Sequence, residues 1–197
     1  MSDPHEVTKQ FEAALCEYTG AKYAVTTTSC TMAIFLACEW YQYSESITIP
    51  RFTYPSVPMS IIHAGHSVEF EDIEWRGEYQ LKPFPIWDSA RRFYRGMYRE
   101  GQVQCLSFHA TKILGDTQGG CILHDSGTLD IWLRKMRFDG RTENIPTSVD
   151  EFWLGYHAYM SPDIAARLLM KLYALPDHND DLPNDDYPDL SLQECFK

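Results

Sequence analysis

The stretch Cys105-Leu-Ser-Phe-His-Ala-Thr-Lys-Ile-Leu-Gly-Asp-Thr-Gln-Gly-Gly120 links two strand-like runs, 103–108 and 120–124, through a glycine-rich turn. It sets a single lysine, Lys112, beyond the exit of the first strand, five residues after Ser107, whose hydroxyl suits phosphate binding.

Upstream, 6–18 spaces Val7, Phe11, Ala14, Leu15 and Tyr18 at helical intervals, and Thr19-Gly20 stops that helix. A β-prone run at 22–27 leads through Ser29-Cys30-Thr31 into an apolar helix over 32–40. Strand, hydroxyl turn, helix is an order that leaves free backbone N–H groups at a helix N-terminus, a ready anion site. A strand is predicted at 46–50, then the aromatic turn Arg51-Phe-Thr-Tyr-Pro55, a helix at 56–64 and a strand at 67–72. Residues 74–85 show no period and read as a loop, and 84–88 as a short strand ending in Asp88. Downstream, 127–136 and 163–175 have helical character, and 143–150 is polar and loop-like. Strands alternating with helices predict an α/β layer fold.

Hydrophobic residues make up 44% and charged residues 23% of the 197, values of an ordinary globular domain. A net charge of -11 argues against a nucleic-acid partner, which needs a basic face. Residues 176–197 hold seven acids against Lys197 alone, so they supply -6 of that charge. With Pro176, Pro183 and Pro188 they read as an irregular or mobile acidic tail behind a body of 1–175. No apolar run approaches the roughly 20 residues that span a bilayer, so no membrane partner is expected. The N-terminus lacks the basic and apolar regions of a secretory signal, and six irregularly spaced cysteines read as reduced thiols, so a cytoplasmic protein is expected. Cys105 with His109 and Cys121 with His124 have pair spacing for zinc, but they fall in strands and turn rather than on knuckles. Buried free thiols are the reading, and no metal is expected.

A lysine beyond a strand end with a phosphate-holding serine beside it is what a pyridoxal-phosphate enzyme needs to carry its cofactor as a Schiff base. The whole order of motifs resembles the DegT/DnrJ/EryC1/StrS family of aminotransferases acting on nucleotide-linked keto sugars. Ser107-Phe-His-Ala-Thr-Lys112 is similar to the family's Ser-Phe-His-x-x-Lys motif, and Ser29-Cys30-Thr31 stands where its Ser-Gly-Thr phosphate loop belongs. Pro50-Arg-Phe-Thr-Tyr54 resembles Pro-Ser-Phe-Thr-(aromatic). Ile86-Trp-Asp-Ser-Ala90 resembles Glu-Asp-Ala-Ala-Gln, and Gly155-Tyr-His-Ala-Tyr-Met-Ser161 resembles Gly-Tyr-Asn-x-Arg-Met-Ser.

The resemblance implies a reduced form of the three-layer α/β/α large domain of the aspartate-aminotransferase fold (fold type I), with pyridoxal 5'-phosphate as cofactor. It implies catalytic roles for Lys112, as attachment point and proton carrier, and Asp88, as partner of the pyridine nitrogen. Tyr54 would stack on the ring, Ser107, Thr31 and the N–H groups near Cys30 would hold the phosphate, and Arg91 would donate toward the cofactor. His157 would reach across a homodimer with shared active sites. The small-molecule partners would be an amino donor, L-glutamate, and a keto-sugar acceptor.

Four departures stand out. The family's C-terminal small domain is expected to be missing, with the acidic tail where it would begin. Only fifteen residues separate Asp72 from Asp88, too few for the family's strand–helix unit, so that unit is expected to be excised or reduced to a loop in a narrower sheet. Cys30 replaces a glycine and Arg91 a glutamine. His157 replaces an asparagine and Tyr159 an arginine. A rival expectation is a catalytically reduced homologue that binds the cofactor or dimerises without turnover.

Overall fold

A computed structural model describes residues 3, 5–42, 45–143, 146, 149–184 and 187–196. Asp185, Asp186 and Lys197 of the tail, and part of 143–150, lie outside the described residues.

Five strands form a mixed sheet in the order β1 (Tyr23–Thr27), β7 (Gly120–His124), β6 (Val103–Ser107), β5 (Ile86–Asp88), β4 (Tyr79–Leu81). Only β5 and β6 run parallel in it; the other neighbours are antiparallel. A second, parallel pair joins β2 (Ser46–Pro50) to β3 (Ser67–Glu71), with helix α3 (Ser56–His63) as its crossover. Thr48 and Lys82 exchange backbone hydrogen bonds of 2.9 and 3.2 Å, which tie β2 to β4 and bring the two sheets together.

Side chains alternate across the main sheet, as pleating requires. Val25, Cys105 and Ile122 face one way, into a core shared with α2 (Cys30–Trp40), α3 and α4 (Gly127–Arg137). Ala24, Leu106, Cys121 and Leu123 face the other way, against α1 (Glu6–Thr19) and α5 (Pro162–Tyr173). Phe11, Leu15, Leu168 and Ala165 are fully buried there. The result is a helix–sheet–helix sandwich, the three layers expected.

The stretch between Asp72 and Asp88 departs from the loop predicted at 74–85. It contains β4, hydrogen-bonded to β5 in the register Tyr79↔Asp88, Gln80↔Trp87, Leu81↔Ile86. Four residues, 82–85, join the two strands. That is too short for a crossover helix, so the pair must run antiparallel. A three-residue strand of alternating burial carries too little periodicity to be read in sequence.

Among the described residues of 176–196 there is no long helix or strand, only 3₁₀ turns at Leu190–Leu192 and Glu194–Phe196. They are nevertheless bound to the body. Arg92 pairs with both Asp181 carboxylate oxygens at 3.0 and 2.6 Å, and the Leu190 N–H donates to the Arg51 carbonyl over 2.9 Å with its side chain buried.

A charged group sits inside the second layer. Glu12 of α1 is buried and accepts from Arg137 and from Arg134 (2.7 Å), both of α4, and from the Thr26 backbone N–H (2.9 Å) of β1. Burial pushes its carboxyl up, but Arg137 and then Arg134 outweigh that and hold it at about 2.

Candidate active site

At the ends of β5, β6 and the β1–α2 turn lies a cavity of about 450 Å³, a size suited to a small ligand. Its walls include Lys112, Asp88, Ser107, Tyr54, Cys30, Thr31 and Arg91. Seven of the eight predicted site residues are therefore brought together from positions 30 to 112. The eighth, His157, is elsewhere. Its side chain is 72% exposed, its Nδ1 lies 3.0 Å from Asp139, and it borders a separate groove with Thr28 and Gln118.

Asp88 ends β5 and is buried. Its Oδ1 accepts from the Ala90 N–H at 3.0 Å and its Oδ2 from the Tyr79 hydroxyl at 2.9 Å. Burial pushes its pKa above the ordinary aspartate value, opposed in turn by the Ala90 and Tyr79 hydrogen bonds and by the charges of Lys112 and Arg91. Cys30 lies within the same field: burial raises its thiol well above the usual range, Asp88 adds to this and Lys112 opposes it.

Lys112 stands in a tight loop after β6. The Lys112 N–H bonds to the His109 carbonyl at 2.9 Å, and the Asp116 N–H to that of Phe108 at 2.8 Å. Gly115 allows the loop to close, since a Cβ there would come within 2.9 Å of the Ala110 and Lys112 carbonyl oxygens. Asp116 anchors the loop to α5 through Arg167 (3.0 Å) and Lys171 (2.8 Å), whose hydrogen bonds hold its carboxyl well below the usual range.

Opposite, the Ser29 hydroxyl caps α2 by accepting from the Met32 N–H at 3.2 Å, leaving the first-turn N–H groups at the cavity. Thr31 Oγ1 and Ser56 Oγ lie 2.8 Å apart beside it. Gly120 permits this turn to pack against β7: a Cβ would sit 2.3 Å from the Ser29 carbonyl carbon and 2.5 Å from the Cys30 nitrogen. The outcome is an anion cradle of hydroxyls and backbone donors facing a lysine and a buried carboxylate.

Several wall residues were not read from sequence. Ser56 begins α3, and a second hydroxyl at a helix start was the available signal. Trp75 comes from the stretch read as loop and stacks edge-on at 4.7 Å against Tyr79 of the same stretch, which lies behind the wall. Tyr187 comes from the acidic tail. It stacks near-parallel with Trp75 at 6.1 Å and edge-on with Tyr54 at 6.3 Å. Arg91, instead of turning wholly to the cavity, donates from Nε to the Tyr187 hydroxyl at 2.7 Å and from Nη1 to the Pro183 carbonyl. Nothing local in the tail sequence marks these contacts.

A family model matches residues 3–86 and 95–181, most of the chain. The chain belongs to the DegT/DnrJ/EryC1/StrS aminotransferase family. Residues 87–94, with Asp88 and Arg91, and the tail from 182 onward lie outside the matched segments. One relative is the UDP-4-amino-4,6-dideoxy-N-acetyl-beta-L-altrosamine transaminase of Campylobacter jejuni, 25% identical over 86% of this chain and 57% of its own length. The chain thus spans little more than half of that relative. Among solved structures, Helicobacter pylori PseC, an aminotransferase involved in pseudoaminic acid biosynthesis, superposes with a TM-score of 0.72 at 17% identity over 86% of this chain and 57% of that one. Bacillus subtilis ntda with bound cofactor PMP gives 0.72 at 18% identity over 86% and 48%. These likenesses establish the fold, a reduced fold-type-I domain.

Proposed function

We propose that this chain binds pyridoxal 5'-phosphate at Lys112 and transfers an amino group from L-glutamate to a keto sugar carried on a nucleotide. The observation that carries this reading is the convergence of Lys112, the buried carboxylate of Asp88 and the hydroxyl-rich turn at α2 on one cavity.

The donor set fits the cofactor. A buried carboxylate suits a pyridinium N–H, and the hydroxyls of Ser107, Thr31 and Ser56 with the N–H groups at Cys30 suit a phosphate. Tyr54 offers a ring face. When bound, the cofactor supplies an electron sink. Asp88 would keep the proton on the ring nitrogen, Lys112 Nζ would take the proton from the α-carbon of the donor, and the cradle would fix the ring between them. Arg91 would donate toward the phosphate side or a substrate carboxylate.

The altrosamine transaminase of Campylobacter supports the nucleotide-sugar substrate class. We assign the cofactor-binding body to 1–175 and a separate wall-forming role to the tail, 176–197. The exposed position of His157 supports a homodimer in which it reaches the partner's phosphate site. Six unpaired cysteines suit a cytoplasmic setting.

The visible absorption of the protein with pyridoxal phosphate, before and after borohydride, tests the assignment. A visible band that borohydride fixes onto Lys112, found by peptide mapping and missing in Lys112→Ala, is expected; a colourless wild-type protein in excess cofactor overturns it. Bleaching by L-glutamate is expected next, then slow transfer to a nucleotide-linked keto sugar. A second reading, a cofactor-binding homologue without turnover, is favoured by Tyr187 standing at the cavity wall. A coloured protein that L-glutamate leaves unchanged would select it. Sedimentation of the coloured protein as a monomer would remove the dimer.

A further inference from the structure

We propose that Tyr79, backed by Thr53, is the positioning residue for Asp88, fixing which face of its carboxylate is presented to the cavity. The inference takes its purpose from the cofactor reading above.

The β4–β5 register sets Tyr79 directly across from Asp88, and its hydroxyl reaches Oδ2 at 2.9 Å. Thr53 Oγ1 lies 2.6 Å from the same hydroxyl. A phenol has one proton, and Tyr79 gives it to Asp88, so Thr53 is the donor in the second bond. Thr53, Tyr79 and Asp88 are 1%, 4% and 5% exposed, so the three form a buried relay. Trp75 packs edge-on against the Tyr79 ring and limits its rotation.

Each carboxylate oxygen has two acceptor directions. The Ala90 N–H occupies one on Oδ1 and Tyr79 one on Oδ2, which holds the carboxylate plane from both sides. The remaining directions are left for a ligand N–H. The charges of Lys112 and Arg91 also act on Asp88, and Asp88 in turn raises the thiols of Cys30 and Cys105. Tyr79 is available only because the chain between Asp72 and Asp88 is a hairpin. A crossover unit would put β4 parallel and change the residue opposite Asp88.

The test uses the full chain, without cofactor, carrying ¹³C-carboxyl aspartate, with the Asp88 resonance assigned by its loss in Asp88→Asn. In Tyr79→Phe the donor to the ionised carboxylate is gone, so the Asp88 titration midpoint should rise by about one pH unit. Thr53→Val should move it in the same direction by less, and Thr53→Ser should restore it. The Thr53 pair reads the relay even if Tyr79→Phe does not fold. Titration of Asp88 unmoved in both Tyr79→Phe and Thr53→Val overturns the proposal, leaving Tyr79 as packing. With pyridoxal phosphate, Tyr79→Phe should bind about tenfold more weakly than wild type. A wild-type protein that binds no cofactor while Asp88 still shifts in Tyr79→Phe would refute the cofactor reading and leave the positioning role standing.

Discussion

Nε of Arg91 donates to the hydroxyl of Tyr187 across 2.7 Å, and its guanidinium carbon lies 4.6 Å from the centroid of the same ring. Ninety-six residues apart in sequence, the two join the acidic tail to the wall of the lysine cavity. A charge-assisted hydrogen bond and a cation–π contact together are worth about 2 kcal/mol. Tyr187→Ala should therefore raise proteolytic cleavage within 177–190 by about tenfold or more while the body's melting temperature changes little. Limited proteolysis followed by mass spectrometry reads this, and unchanged cleavage would show that Tyr187 does not hold the tail.

Asp88→Asn keeps size and the Ala90 contact but removes the charge opposite Lys112. An amide cannot hold a proton on a pyridine nitrogen, so the bleaching of the visible band by L-glutamate should slow by at least about a thousandfold. Stopped-flow absorbance measures it. A rate equal to wild type would remove Asp88 from its proposed role.

Gly120→Ala introduces a Cβ 2.3 Å from the Ser29 carbonyl carbon, a backbone atom that cannot rotate away. The turn at α2 must shift, at a cost of about 1–3 kcal/mol. Thermal unfolding should show that loss, and cofactor affinity should fall with it because the cradle moves. Retention of both would mean that the β7–turn approach is looser than described.

Glu12 links acid sensitivity to the fold. Its carboxyl is held at about 2, against 4.5 ordinarily, so its stabilising contribution is complete above about pH 4.5 and is lost as pH falls toward 2. His124 adds to this: burial lowers it to about 4, so stability is also lost as pH falls from 6.5 toward 4. Glu12→Gln leaves buried Arg137 with Glu143 as its remaining carboxylate partner and should cost about 1–3 kcal/mol at pH 7. It should also flatten the acid limb between 4.5 and 2, as melting temperatures across that range would show.

Much of the cavity was legible in the chain because its parts are local. Lys112 and Ser107 share one strand exit, Ser29 and Thr31 share one helix start, and Asp88 closes a short apolar run. Their order around Lys112, with the family resemblance that order carries, anticipated seven of the cavity's wall residues. Tyr79 was missed because β4 is three residues long and strand periodicity needs a longer run to appear, and Trp75 because it precedes that strand in an irregular segment.

Sequence by itself determined the alternation of strands and helices, the lysine loop and the helix start that faces it, since hydrophobic period and turn chemistry are properties of neighbouring residues. Tertiary structure alone decided the rest. It turned the shortened stretch before Asp88 into an antiparallel hairpin that sets Tyr79 opposite the carboxylate, and laid Tyr187 against Trp75 and Arg91. It also left His157 exposed beside Asp139 rather than on the wall of its own chain's cavity. Those relations depend on which segments meet across the fold, and pairing between distant segments leaves no period in either one.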